Sequence, residues 1–392
     1  MAKKTKPLMA GSFHVDWLLF FLTFSLLGLG YVMMVSSSLH LGAKLPSSNS
    51  MYYPLRQLIH IVAGLTAGFV VVSTPLKVWE KHGSILFLFG LFLLVLVLIP
   101  GIGIRVNGSS RWISLMGVRI QASEVMKLVS VIYIAGYVDR HKRKVQEAAF
   151  SLFKPLTLCA CACALLLLEP DFGSSVVILT IVMGVMYLAG ARLGQFVILI
   201  SLVFILAKEL IYSSPYRLAR VTSFVNPWAD AQDTGFQLVQ ALIAFGRGEV
   251  YGVGLGSGVQ KIFYLPEAHT DFLFSVLAEE LGLVGVLSVI FLFGGFIFRA
   301  FCIGMKAEKL GLRFAAFIAY GLGIWVGFQA FINMGVNMGM LPTKGLTLPL
   351  MSYGGGSMII MCAAVALLFR VHNEVNEQMM SVPKGKQEWI KK

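Results

Sequence analysis

The sequence predicts an all-α integral membrane protein: about ten transmembrane helices in a single polytopic domain (1–392), both termini cytoplasmic, and one long outer loop. Three observations carry that expectation. First, 57% of the 392 residues are hydrophobic and only 13% are charged, and the mean hydropathy is +0.80, beyond what a water-soluble chain of this length sustains. Second, apolar runs of about 17–25 residues recur, each long enough to cross a ~30 Å hydrocarbon layer as a helix that satisfies its own backbone. Third, the net charge of +13 is segregated. Lys3/Lys4/Lys6, Lys77/Lys81, Arg140/Lys142/Arg143/Lys144, Arg299/Lys306/Lys309/Arg313 and Lys384/Lys386/Lys391/Lys392 all fall on one side of an even number of spans, which the positive-inside rule makes cytoplasmic.

The elements follow in order. The run at 15–36 is longer than a signal peptide's apolar core and no small-residue cleavage site follows it, so it reads as a retained anchor. Runs at 56–74 and 84–100 come next. Gly101 to Arg119 then holds a Gly/Ser-rich turn followed by Trp112, an amphipathic side chain suited to the membrane interface. The run at 122–138 opens with Glu124 and Lys127 three residues apart on one helical face, either an ion pair at the helix entrance or a lysine turned toward an outer cavity. In 154–168, helical spacing turns Cys161 away from Cys159 and Cys163, so these read as small apolar residues. Glu169-Pro170-Asp171 makes a turn into 174–190; its acids serve as turn and cap residues, or hold an outer arginine or a divalent ion.

After a run at 195–212, the outer loop spans 213–271. Within it Phe236–Phe245 is apolar but too short to cross, which suggests a re-entrant or interfacial helix. The glycines from Gly246 to Gly258 lack the preceding strand and following Gly-Lys-Ser/Thr of a phosphate loop, and read as flexible backbone. In the run 272–298, Glu279 and Glu280 lie about two turns inside, so they should face the bundle interior and pair with Arg, Lys or backbone donors. Asn333 and Asn337 share a face near the end of 314–334. The stretch Pro342–Ser357 breaks helices and carries Lys344, Ser352 and Tyr353; a membrane tolerates such freed backbone only where it faces protein or a water-filled cavity. A last run at 349–370 precedes a short cytoplasmic tail, 372–392, expected to be mobile.

Two features point toward chemistry. A second set of cations, Arg56, Arg105, Arg111, Arg119, Lys127, Arg217, Arg220, Arg247, Lys261 and Lys344, falls on the outer side, where lipid headgroups or an anionic, pyrophosphate-bearing ligand would be its partner. Division of the cations between two membrane faces excludes nucleic acid. The other feature is Leu265–Phe272, where Asp271 stands at the mouth of an apolar helix. It either caps that helix or does chemistry where a lipid-borne substrate reaches it.

In order along the chain, Asn107–Trp112, Gln121–Glu124 with Lys127, Leu265–Phe272 and Lys344–Ser357 make the sequence resemble the SEDS family of bacterial shape, elongation, division and sporulation proteins over essentially its whole length. Thr347 stands where the elongation branch usually has proline, so the division branch is the nearer likeness. Ala122 and Gly356 depart from a frequent proline and a common serine. The resemblance implies a peptidoglycan glycosyltransferase that polymerises lipid II on the outer face of the bacterial cytoplasmic (inner) membrane, at the division septum. It implies a class B penicillin-binding protein and other division-complex membrane proteins as partners. The family's essential acid maps onto Asp271, expected to act as the base. Arg111, Lys127, Arg217, Arg220 and Lys344 are expected on the substrate pyrophosphate, and Glu124, Glu169, Asp171, Glu279, Glu280 and Ser352 in support. Mg²⁺ or Mn²⁺ could assist, with Asp271 as a candidate ligand, and no organic cofactor is expected. A lipid II flippase, an elongation-type polymerase and a division scaffold are the alternatives.

Overall fold

The computed structural model describes residues 14–44, 49–106, 109–115, 118–147, 153–213, 215–233, 235–262 and 264–382. The first three helices are α1 (Trp17–Ala43), α2 (Tyr52–Ser73) and α3 (Leu76–Leu98). Strands β1 (Gly103–Val106), β2 (Ser109–Leu115) and β3 (Val118–Gln121) lead into α4 (Ala122–Arg140) and the short α5 (Lys142–Glu147). Then come α6 (Phe153–Leu168), α7 (Phe172–Leu188), α8 (Leu193–Tyr212), α9 (Pro215–Val225), a 3-10 turn (Pro227–Asp230) and α10 (Phe236–Gly248). The chain closes with α11 (Leu273–Lys309), α12 (Arg313–Asn337) and α13 (Gly355–Met380).

Each apolar run read from the sequence falls on one of these helices. Among the described residues α1, α2, α3, α11, α12 and α13 are long and apolar enough to cross a membrane, while α6, α7 and α8 contain shorter apolar helices. Large apolar side chains face outward, with Phe69 72%, Ile198 73% and Phe204 72% exposed, as a surface against lipid tails requires. Without a hydrophobic force between helices in lipid, close approach depends on small residues. Gly64 and Gly68 of α2 rest on Cys362 and Ala366 of α13, and Gly83 and Gly90 of α3 rest on Ile132 and Met126 of α4. The polar interior lies where α4, α11, α12 and α13 meet.

Three expectations change. The Gly101–Arg119 turn is an antiparallel sheet in the order β1-β2-β3, with Ile104 opposite Trp112 and Ile113 opposite Ile120. β3 lies so close to the start of α13 that a Cβ on Gly356 would meet Gln121 N at 2.8 Å and Arg119 O at 3.0 Å. Second, the supposed tail starts inside α13, which continues to Met380 and keeps His372 and Asn373 buried; residues from 383 onward lie outside the described set. Asp16, the N-cap of α1, holds that end through Arg299 Nε at 2.7 Å and His372 Nδ1 at 3.2 Å.

The third change concerns the glycine-rich segment, which is a wedge. Helix α11 breaks at Gly282 (φ 63°, ψ −161°), and the segment after α10 fills the gap. Val253 and Gly254 N–H donate to Glu279 O and Glu280 O, while Leu283 and Val284 N–H donate to Glu249 O and Val250 O. Only glycine fits the approach, since a Cβ on Gly248, Gly252 or Gly282 would run into backbone of the facing segment.

Candidate functional site

Asp271 sits just ahead of α11, half-buried. The N-cap position is Phe272, with no side-chain cap, and the first turn finds its partner elsewhere: Asn337 Oδ1 accepts from Ser275 N at 3.1 Å and Ser275 Oγ at 2.7 Å. The Asp271 carbonyl is itself held by two amides, Asn333 Nδ2 at 2.8 Å and Asn337 Nδ2 at 2.9 Å. Its main chain is therefore fixed from α12.

The Asp271 carboxylate faces the broken stretch before α13. A Cβ on Gly345 would lie 3.0 Å from Asp271 Oδ2, so the glycine lets the acid and this loop approach. Next to it Lys344 places its ammonium 4.2 Å from the centre of the Phe172 ring. Asn333 Nδ2 donates to Leu346 O at 2.6 Å, Gln329 Nε2 to Thr347 O at 3.0 Å, and Leu348 N to Ser352 Oγ at 2.9 Å. Ser352 is thus a buried turn residue. Phe172 follows the Glu169–Asp171 turn, in which Asp171 caps α7 by accepting from Ser174 N at 3.2 Å. Arg111 of β2 donates to Glu169 O and, at 2.7 Å, to Pro170 O. Three segments converge here, 169–173, 265–272 and 343–353, and they bring together Asp271, Lys344 and, behind Phe172, Arg111.

Other expected site residues lie elsewhere. Lys127 is fully buried, its Nζ 2.7 Å from Glu124 Oε1 and 2.8 Å from Gln329 Oε1, with the Trp325 ring 5.7 Å away. An ammonium shut from solvent and bonded on both sides does not meet an outer ligand in this arrangement; it braces Gln329, which braces Thr347. Glu279 and Glu280 are fully buried and paired inside the wedge. Glu279 meets Arg247 at 3.3 Å and accepts from Val259 N and Gln260 N; Glu280 meets Lys261 and accepts from Ser36 Oγ and Gly256 N. Arg217 and Arg220 belong to α9, but their side chains lie outside the described residues. Among the described residues no three His, Cys, Asp or Glu side chains gather as a metal-binding group.

Glu169 is an exception to this pattern of closed pairs. It is 1% exposed and neither carboxyl oxygen has a hydrogen-bond partner among the described residues. Burial, reinforced by Asp171 and opposed by Arg111, pushes its pKa up to about 8.

The profile of the cell cycle protein family FtsW/RodA/SpoVE matches residues 17–377. The chain belongs to the FtsW/RodA/SpoVE family. A probable peptidoglycan glycosyltransferase FtsW of Methylomonas methanica is 60% identical over 385 residues, covering 98% of this chain and 99% of that one. A second, of Methylococcus capsulatus, is 58% identical over 93% of this chain and 92% of its own length. Among solved structures, a chain described under "Structural coordination of polymerization and crosslinking by a peptidoglycan synthase complex" superposes with a TM-score of 0.74 at 28% identity, covering 92% of this chain and 98% of that one. The rod shape determining protein RodA of Thermus thermophilus follows at 0.66 and 27% identity, covering 92% and 97%.

Within this SEDS fold, α12 supplies residues the sequence reading undervalued. Gln329, Asn333 and Asn337 recur every four residues, are all buried, and together hold the Asp271 loop and the Lys344 loop. The signal was available: three amides at helical spacing in an apolar helix are costly unless each has a partner.

Proposed function

We propose that this chain is a division-type peptidoglycan glycosyltransferase that polymerises lipid II at the outer surface of the bacterial cytoplasmic membrane, at the septum, alongside a class B penicillin-binding protein. Identity of 60% across nearly the whole chain to a relative so named supports the activity. A solved relative from a peptidoglycan synthase complex supports the partner. The observation that carries the mechanism is Asp271, whose carbonyl is held by two amides and whose carboxylate faces the loop that carries Lys344.

Glycosyl transfer from a pyrophosphate needs a base for the attacking hydroxyl and a cation for the leaving group. Asp271 takes the proton from the acceptor sugar's 4-hydroxyl as that oxygen bonds to the donor's anomeric carbon. The bond from that carbon to the pyrophosphate oxygen breaks, its electron pair leaves with the pyrophosphate, and one direct displacement inverts the centre. Lys344 neighbours Gly345, which faces this acid, and serves as the cation, while Arg111 positions it by fixing the turn that carries Phe172. Arg217 and Arg220 stay assigned to the pyrophosphate as part of the proposal. A divalent ion would fit here only as Mg²⁺ commonly does, through one carboxylate plus substrate phosphates, and Asp271 is that carboxylate; when bound, it would add charge neutralisation at the leaving group.

A lipid II polymerisation assay on the full chain with its partner, with and without chelator, tests the reading. Glycan strands that vanish in Lys344→Ala and weaken under chelation support it; lipid II flipping without polymerisation, in vesicles holding only this chain, favours the transport alternative.

A further inference from the structure

Two residues before Asp271, the same loop enters a ring cluster with no part in the proton transfer. The His269 ring lies 5.3 Å from Tyr53 of α2 and 5.4 Å from Tyr353, and the two tyrosines are 5.6 Å apart at 80°. Tyr353 N donates to His269 O at 3.0 Å, tying the cluster to the Asp271 loop. Arg56, one turn along α2, is exposed at the rim and covers Tyr52 at 4.7 Å.

Two properties separate this cluster from ordinary core packing. Tyr53, His269 and Tyr353 are all only half-buried, so the group opens outward. And His269 Nδ1 is buried without a hydrogen-bond partner among the described residues. A buried, partnerless nitrogen is least costly as the lone-pair site, which leaves the proton on Nε2 as a donor. The cluster therefore offers apolar ring faces, an imidazole N–H and a guanidinium within one opening. A pyrophosphate would call for cations without the rings, and an isoprenoid tail for rings without the donors. A sugar ring, with C–H faces and hydroxyl edges, uses both.

We propose that Tyr53, His269 and Tyr353, with Arg56 at the rim, bind a sugar ring of the lipid-linked substrate beside Asp271. This rests on the glycosyltransferase reading for the identity of the ligand, and its test is a binding measurement, so it can fail separately. The full chain with its partner is titrated with lipid II and with undecaprenyl pyrophosphate, which carries no sugar. Tyr53→Ala and His269→Gln are expected to weaken lipid II about tenfold and leave undecaprenyl pyrophosphate within about twofold, whereas Tyr53→Phe, which keeps the ring, leaves both unchanged. Equal loss of both ligands, or loss of neither, overturns the proposal. Failure of wild type to polymerise while this difference persists would instead overturn the enzymatic reading alone.

Discussion

A carboxylate at a membrane boundary is costly, and at Asp271 two amides of α12 hold the main chain that carries it. The sequence marked this acid but left cap and base open; Asn337 serves the first turn of α11 from another helix, a long-range contact no local pattern encodes. Asn337→Ala removes the acceptor of Ser275 Oγ, one of two acceptors of Ser275 N and one of two donors to Asp271 O. We expect a loss of about 1–3 kcal/mol, read as a lower melting temperature, with activity falling further than stability. Glu169 gives a pH prediction. Its folded pKa of about 8 lies above the ordinary carboxylate value, so the folded state holds the proton more tightly than the unfolded chain. That contribution is fully present below about pH 4 and is lost as pH rises toward 8. Relative to Glu169→Gln, the wild-type melting temperature should therefore drop across that window; parallel curves would contradict the assignment.

At the scale of elements, helices were legible because a run of apolar residues long enough to span leaves few alternatives. The sheet was not, although Ile104-Arg105-Val106 and Ile113-Ser114-Leu115 alternate with the period of a strand, because each strand is short and its partner lies across a turn. Nor was the wedge: glycines that suggest mobility in isolation here allow backbone to enter a broken helix. Glu279 and Glu280 were expected to be paired, but their partners, Arg247 and Lys261, come from the end of α10 and the segment that follows it. Gly282→Ala would put a Cβ on a positive-φ residue facing Gly252, and should cost the fold heavily, seen as loss of monodisperse protein in detergent. Gly356→Ser pushes against backbone of β3; a loss of about 1–3 kcal/mol is expected from overpacking.

For the whole molecule, the account needs one orientation: the converging loops outside, the basic Lys306–Arg313 corner inside. In a chain freed of its native cysteines, Tyr251→Cys, at a position 83% exposed in the wedge, should react with an impermeant thiol reagent in intact cells, and Lys309→Cys only after lysis. The reverse pattern would place the site on the wrong face for a lipid II polymerase. The most direct test of the central claim compares Asp271→Asn with wild type, each with its transpeptidase partner, for lipid II binding and for polymerisation. The account predicts affinity within about threefold and polymerisation reduced by at least about a hundredfold, as expected when a base is removed from an otherwise intact site; near wild-type polymerisation by Asp271→Asn would contradict it.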